Sequence, residues 1–191
     1  MDTDLVVRII PEQNRAAYLE ARFTLDDDVP VQSGAMQFYR EGSFIGSQRI
    51  TGFLPKEEVS LPFGQDEEVR VEVLPDQENF DAGGTFTPVA VDNRRQRFLI
   101  TSFHDAPKLI EVMARVPVSQ NDDITVVLDD DATAADEVDL DNKTGLTLWR
   151  KQSTSAEPIK IKHYYSIRYP REGQLFFRNR TERLILRRSS E

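Results

Sequence analysis

Apolar and polar residues alternate with a period of two along much of the chain, the signature of strands with one face in a core and the other in water. Ala17, Leu19, Ala21, Phe23 and Leu25 alternate with Tyr18, Glu20, Arg22 and Thr24. Val59, Leu61 and Phe63 repeat the pattern, as do Val69, Val71 and Val73 across Arg70 and Glu72. Ile110, Val112, Ala114, Val116 and Val118 face one way, with Leu109, Glu111, Met113 and Arg115 opposite. The longest set, Ile159, Ile161, His163, Tyr165, Ile167 and Tyr169, alternates with Lys160, Lys162, Tyr164, Ser166 and Arg168. Each set belongs on a single sheet face.

Turn chemistry punctuates these runs at Phe63-Gly64, Asp92-Asn93, Asp105-Ala-Pro107, Asn121-Asp122 and Asp141-Asn-Lys-Thr-Gly145. Residues 35–40, then Glu41-Gly42, then 43–50 read as the clearest hairpin. Gly42, Gly64 and Gly145 suit turns of unusual φ, Pro170 closes a strand, and Trp149 is placed as a core anchor between sheets. No segment has the period of a long amphipathic helix. The pattern predicts an all-β protein, an antiparallel β-sandwich of immunoglobulin-like character. A polar gap at residues 75–84 reads either as the boundary between two packed modules, residues 1–78 and 79–175, or as a long loop within one larger sandwich; a basic tail over 176–191, disordered or loosely docked, follows.

Composition narrows the chemistry more than it identifies it. The 191 residues carry 33 acids against 24 lysines and arginines, a net charge of −9, and no cysteine. Disulfides, thiolate metal sites and cysteine nucleophiles are therefore excluded. Residues 122–141 hold nine acids and no lysine or arginine, so the remainder balances and the excess charge is local. No stretch approaches the roughly 18 apolar residues of a membrane span. An acid follows Met1 where a signal peptide needs a basic region, and Arg8 and Pro11 interrupt the apolar run. The chain as written is expected to be soluble, with cytoplasm and cell envelope both open.

Only two histidines are present. His104, in His104-Asp-Ala-Pro107, reads as a turn residue, because Asp105 at the next position of extended chain points away from the ring. His163 falls on the apolar face of its strand and reads as a partly buried side chain with one satisfied hydrogen bond. Gly-x-Ser-x-Gly, the P-loop, Gly-x-Gly-x-x-Gly and His-Glu-x-x-His are all missing, which weighs against serine-hydrolase, nucleotide and zinc-protease chemistry. Asp129, Asp130, Asp131, Asp136, Glu137, Asp139 and Asp141 offer oxygen ligands for calcium. The EF-hand spacing fails there, and a solvated acidic loop is the expectation. Arg94, Arg95 and Arg97, and the arginines of the tail, lack interleaved aromatics, so no nucleic-acid partner is expected. Asn142-Lys-Thr144 and Asn179-Arg-Thr181 fit the glycosylation sequon, a pattern with meaning only in a secretory pathway.

An ordered series of phrases carries a resemblance. It comprises Tyr18-Leu-Glu-Ala-Arg22, the hairpin Phe38-Tyr-Arg-Glu-Gly-Ser-Phe-Ile-Gly46, Leu61-Pro-Phe-Gly64 and Val69-Arg-Val71. Val116-Pro-Val-Ser119, Asp122-Asp-Ile124, Lys143-Thr-Gly-Leu-Thr-Leu-Trp149 and Tyr165-Ser-Ile-Arg-Tyr-Pro170 complete it. Over residues 17–174 the series resembles the C-terminal region of the mucoidy-inhibitor-A-like proteins, a domain of unknown function. That resemblance implies a β-sandwich which, in full-length members, follows an N-terminal domain and a coiled coil, so the chain is similar to an excised C-terminal piece. The hairpin has Glu41-Gly42 where the family has Asp-Gly, and the arginine-rich tail has no counterpart. No catalytic residues come with the family. The expectation is a non-catalytic structural or protein-interaction module, with no catalytic, cofactor or metal residue assigned. Its partner would be a protein, such as the N-terminal part of its own full-length chain. The alternative is a carbohydrate-active or carbohydrate-binding domain using carboxylates and aromatics, recognisable by two carboxylates about 5–10 Å apart in an aromatic-lined groove.

Overall fold

In the computed structural model, the described residues are 3–25, 28–40, 42–76, 80–81, 89–170, 173–178 and 183–188. The first half contributes β1 (Thr3–Ile9), β2 (Ala17–Thr24), β3 (Gly34–Arg40), β4 (Ser43–Ile50), β5 (Glu58–Asp66), β6 (Val69–Pro75) and β7 (Phe80–Asp81). There follow β8 (Val89–Ser102), β9 (Leu109–Arg115), β10 (Val118–Ser119), β11 (Thr125–Leu128) and β12 (Glu137–Val138). The last are β13 (Leu146–Gln152), β14 (Ile159–Pro170), β15 (Gly173–Arg178) and β16 (Arg183–Arg188). Among the described residues the only helical segment is a short 3₁₀ turn, Leu140–Asn142. The all-β reading therefore holds, and the strands assemble into several packed antiparallel sheets with no closed barrel.

Six strands form one sheet in the order β12-β13-β9-β1-β2-β5, and β11-β14-β8-β6 form the second, with β7 pairing β8. Alternation decides what each face carries. Val7 and Ile9 of β1, Ala17 and Leu19 of β2, Ile110, Val112 and Ala114 of β9, and Trp149 of β13 turn inward. They share one core with Val69 and Val71 of β6, Phe98 and Ile100 of β8, and Ile161 of β14. Phe98 and Ile161 are fully shielded from solvent. Trp149 is the predicted anchor, and its indole N–H donates to the Thr133 carbonyl at 3.0 Å.

Strands from the two expected modules, 1–78 and 79–175, pair with one another. β1 lies parallel to β9, with Arg8 opposite Glu111, and β6 is antiparallel to β8, with Val71 opposite Ile100. Strands from both sides of the polar gap thus share both sheets and one core, because the apolar faces of either half alone would be left open. Most of the gap itself, including Gly83-Gly84, lies outside the described residues, as does Glu41 of the hairpin. The tail is corrected: backbone pairing joins β15 to β16 as an antiparallel hairpin, and β16 runs parallel to β10.

The segment between β11 and β12 closes one side of the sandwich. Asp129 and Thr133 donate their amides to the Tyr164 and Lys162 carbonyls of β14, at 3.2 and 2.9 Å. The Asp136 amide then bonds the Leu148 carbonyl of β13 at 3.0 Å, so the segment crosses from one sheet to the other. Gly42, Gly64 and Gly145 all adopt positive φ, Gly64 within β5 rather than in a turn. At Gly145 the requirement is absolute, since a Cβ would sit 2.3 Å from the Val116 carbonyl oxygen.

A shared core makes the sheets one cooperative unit. Urea denaturation followed by tryptophan fluorescence and by circular dichroism is expected to give coincident single transitions. Phe98→Ala is expected to lower stability by about 3–5 kcal/mol without splitting them. Two resolved transitions would support the two-module reading.

Candidate functional site

The densest chemistry outside the core gathers around His104. The β5–β6 turn carries Glu67 and Glu68, and the register that sets Val69 opposite Ser102 brings this turn against the chain leaving β8. The Phe103 amide donates to the Glu68 carbonyl at 2.8 Å, locking the two segments. Asp66, the last residue of β5, accepts the Glu68 amide on Oδ1 at 3.1 Å. Its Oδ2 lies 2.8 Å from His104 Nε2, and a Glu68 carboxylate oxygen lies 2.5 Å from Nδ1. The Asp66 and His104 side chains are 3% and 13% exposed and that of Glu68 is 62% exposed, so the group has a buried floor and an open mouth. Asp105 is not a partner in these contacts, in keeping with its expected direction. The turn reading of His104 nevertheless missed both real partners, which arrive by sheet register. The acidic run Asp66-Glu-Glu68 just before β6 was the available signal.

His163 is more deeply placed than expected. It is 2% exposed, with its ring stacked on Phe98 at 5.5 Å and set edge-on to Trp149 at 5.9 Å. Among the described residues Nε2 has no hydrogen-bond partner, and Nδ1 lies 3.7 Å from the Glu12 carboxylate. Burial lowers its pKa from 6.5 to about 4, so the ring is neutral in the folded protein at pH 7. Beside it opens a cleft of about 460 Å³ between the β1–β2 loop and the inner face of β8 and β14. Among the described residues Glu12 is the one carboxylate lining the cleft, with Arg15, Arg94, Gln96 and Tyr165 around it. The carboxylate pair beside aromatics that a glycosidase reading requires is not assembled there.

The outer face of the six-stranded sheet is charged and mostly covered. Glu111 of β9, 3% exposed, receives Arg22 through two nitrogens at 3.0 and 2.5 Å, and Arg150 at 3.2 Å, with Arg8 at 3.8 Å. Glu20 takes Arg8 at 2.6 Å and Arg22 at 2.8 Å. Burial alone would raise the Glu111 pKa, but the bonds and charge of Arg22, with Arg150 and Arg8, outweigh it and hold the carboxyl below its ordinary value.

Four of the nine acids of residues 122–141 are engaged with partners on other elements. Asp129 accepts Arg95 at 2.8 Å, Asp136 the Arg150 amide at 2.7 Å, Glu137 the Arg150 guanidinium at 3.2 Å, and Asp139 the Gly145 amide at 2.6 Å. These carboxylates turn toward separate cations and amides of β8, β13 and the β12–β13 turn rather than toward one centre. The segment is a clasp whose backbone and four carboxylates are anchored while most of its acids stay exposed to solvent.

A third surface belongs to the β3–β4 hairpin, which forms its own two-stranded sheet. Its inner side packs Phe38 and Ile50 on Val59 and Leu61 of β5. On its outer side Tyr39 and Phe44 stand 53% and 57% exposed, in edge-to-face contact at 5.6 Å. Period-two alternation predicted the hairpin but gave no reason to single out its outer face.

Two packed sheets, a separately paired hairpin with an aromatic outer face and a histidine–carboxylate group at one sheet end define an all-β module. The chain belongs to the family described as Domain of unknown function (DUF4139), whose model matches residues 6–171. The β15–β16 hairpin lies beyond that match. The chain is also similar to protein F37C4.5 of Caenorhabditis elegans, 21% identical over 149 residues, which cover 78% of this chain and 27% of that protein. It therefore spans about a quarter of that relative's length. No solved structure matches it. Among the described residues no helix is long and apolar enough to cross a membrane.

The buried neutral His163 makes stability depend on pH with a definite sign. Its folded pKa lies below its unfolded value, so its contribution is complete above pH 6.5 and is lost as pH falls toward about 4. Denaturant titrations from pH 7 to pH 4.5 are expected to show a loss approaching about 3 kcal/mol from this group. A His163→Leu variant is expected to flatten that part of the slope.

Proposed function

We propose that this chain is a non-catalytic interaction module whose contact element is the β3–β4 hairpin. The observation that carries the reading is the exposed Tyr39–Phe44 pair on a two-stranded sheet whose strands pair with neither large sheet. A paired aromatic surface held rigid from below by Phe38 and Ile50 offers apolar area to a partner at small entropic cost. Both hairpin strands also keep an unpaired edge, which a partner strand can extend. The ligand is a protein. The coverage of only 27% of the C. elegans relative supports a module of a longer chain, with the remainder of that chain as the first partner to test. The resemblance to the C-terminal region of mucoidy-inhibitor-A-like proteins supports the same arrangement and an envelope-linked setting.

A Tyr39→Ser/Phe44→Ser double variant tests this. Both side chains are exposed, so the fold is expected to persist by circular dichroism. Binding to the N-terminal part of the full-length protein, measured by calorimetry, is expected to weaken at least tenfold. Undiminished binding would overturn the assignment of the hairpin.

A further inference from the structure

We propose that Asp66, Glu68 and His104 form a binding site for a divalent transition metal of the zinc type. One oxygen from each carboxylate and one ring nitrogen all lie within 4.8 Å of one another. Asp66 flanks Nε2 and Glu68 flanks Nδ1, so a common ion on Nε2 requires the exposed Glu68 side chain to swing round from the other side of the ring. The donors come from the end of β5, the β5–β6 turn and the chain leaving β8. Their backbones are fixed by the β6–β8 register and by the Phe103–Glu68 bond. Asp66 is also oriented, because its Oδ1 is held by the Glu68 amide. Such support for first ligands is what metal sites require.

The electrostatics favour a cation. Two carboxylates converge on one imidazole at a largely buried position, so even a fully protonated ring leaves a surplus negative charge there. The mixed nitrogen and oxygen donor set suits zinc better than calcium, which prefers six to eight oxygens. Three protein donors leave a position for water or an external ligand, and Glu68 at the mouth gives a route in.

The test uses the full chain, stripped with a chelator and titrated calorimetrically with zinc chloride. The wild type is expected to take up one zinc per chain and to gain thermal stability with it. Glu68→Gln, at an exposed position, is expected to weaken binding at least tenfold, and His104→Gln to abolish it, with circular dichroism unchanged in both. Absence of stoichiometric uptake by the wild type, or uptake as tight in both variants, would overturn the site.

Discussion

Glu111 sets the arrangement of the larger sheet. It sits at the centre of the six-stranded sheet, on a face that in most antiparallel sandwiches meets water, yet its side chain is 3% exposed. Arg150 and Glu111 lie opposite one another across β13 and β9, and Arg8 and Glu111 across β9 and β1. Arg22 reaches the same carboxylate from β2. Four strands, two from each half of the chain, thus converge on one charge. Such a cluster contributes little net free energy compared with an apolar replacement, but it penalises error severely. A one-residue slip of β9 against β1 would drive Glu111 into the core beside Phe98 and Ile100, and would turn Val112 out. The charge therefore specifies the parallel pairing on which both the common core and the end of the sandwich carrying His104 depend.

Strand positions were legible in the sequence because one buried face imposes a period of two. β2, β5, β6, β9 and β14 all emerge from the alternation of Ala17–Leu19, Val59–Leu61, Val69–Val71, Ile110–Val112 and Ile159–Ile161. Pairing partners were not legible, because alternation says which face a residue uses and nothing about its neighbour. β1 finds β9 across about a hundred residues, a contact that no local pattern announces. The tail was misjudged for a related reason. Its arginines dominate the composition, whereas the middle of its strand register sets Leu184, Ile185 and Leu186 opposite Phe177, Phe176 and Leu175.

The candidate sites show the same asymmetry. His104 next to Asp105 was read correctly as a poor dyad, since successive residues of extended chain diverge. Its true partners lie about forty residues upstream and arrive only through the register of β6 on β8. The acidic segment looked solvated because its charges have no partners in their own stretch of sequence. Folded, Asp129, Asp136, Glu137 and Asp139 meet Arg95, Arg150 and the Gly145 amide on other elements, and the backbone between them spans both sheets. In each instance the residue types were visible and the geometry that gives them a role was long-range.

The central claim, that the sheet is organised around one buried carboxylate, is tested most directly by chemical denaturation of Glu111→Gln at neutral pH. Removing the charge leaves Arg8, Arg22 and Arg150 facing one another without their shared counterion. The account predicts a loss of about 3–5 kcal/mol, the cost of breaking a buried ion cluster from one side. A loss below about 1 kcal/mol, the value of an ordinary surface ion pair, would contradict it.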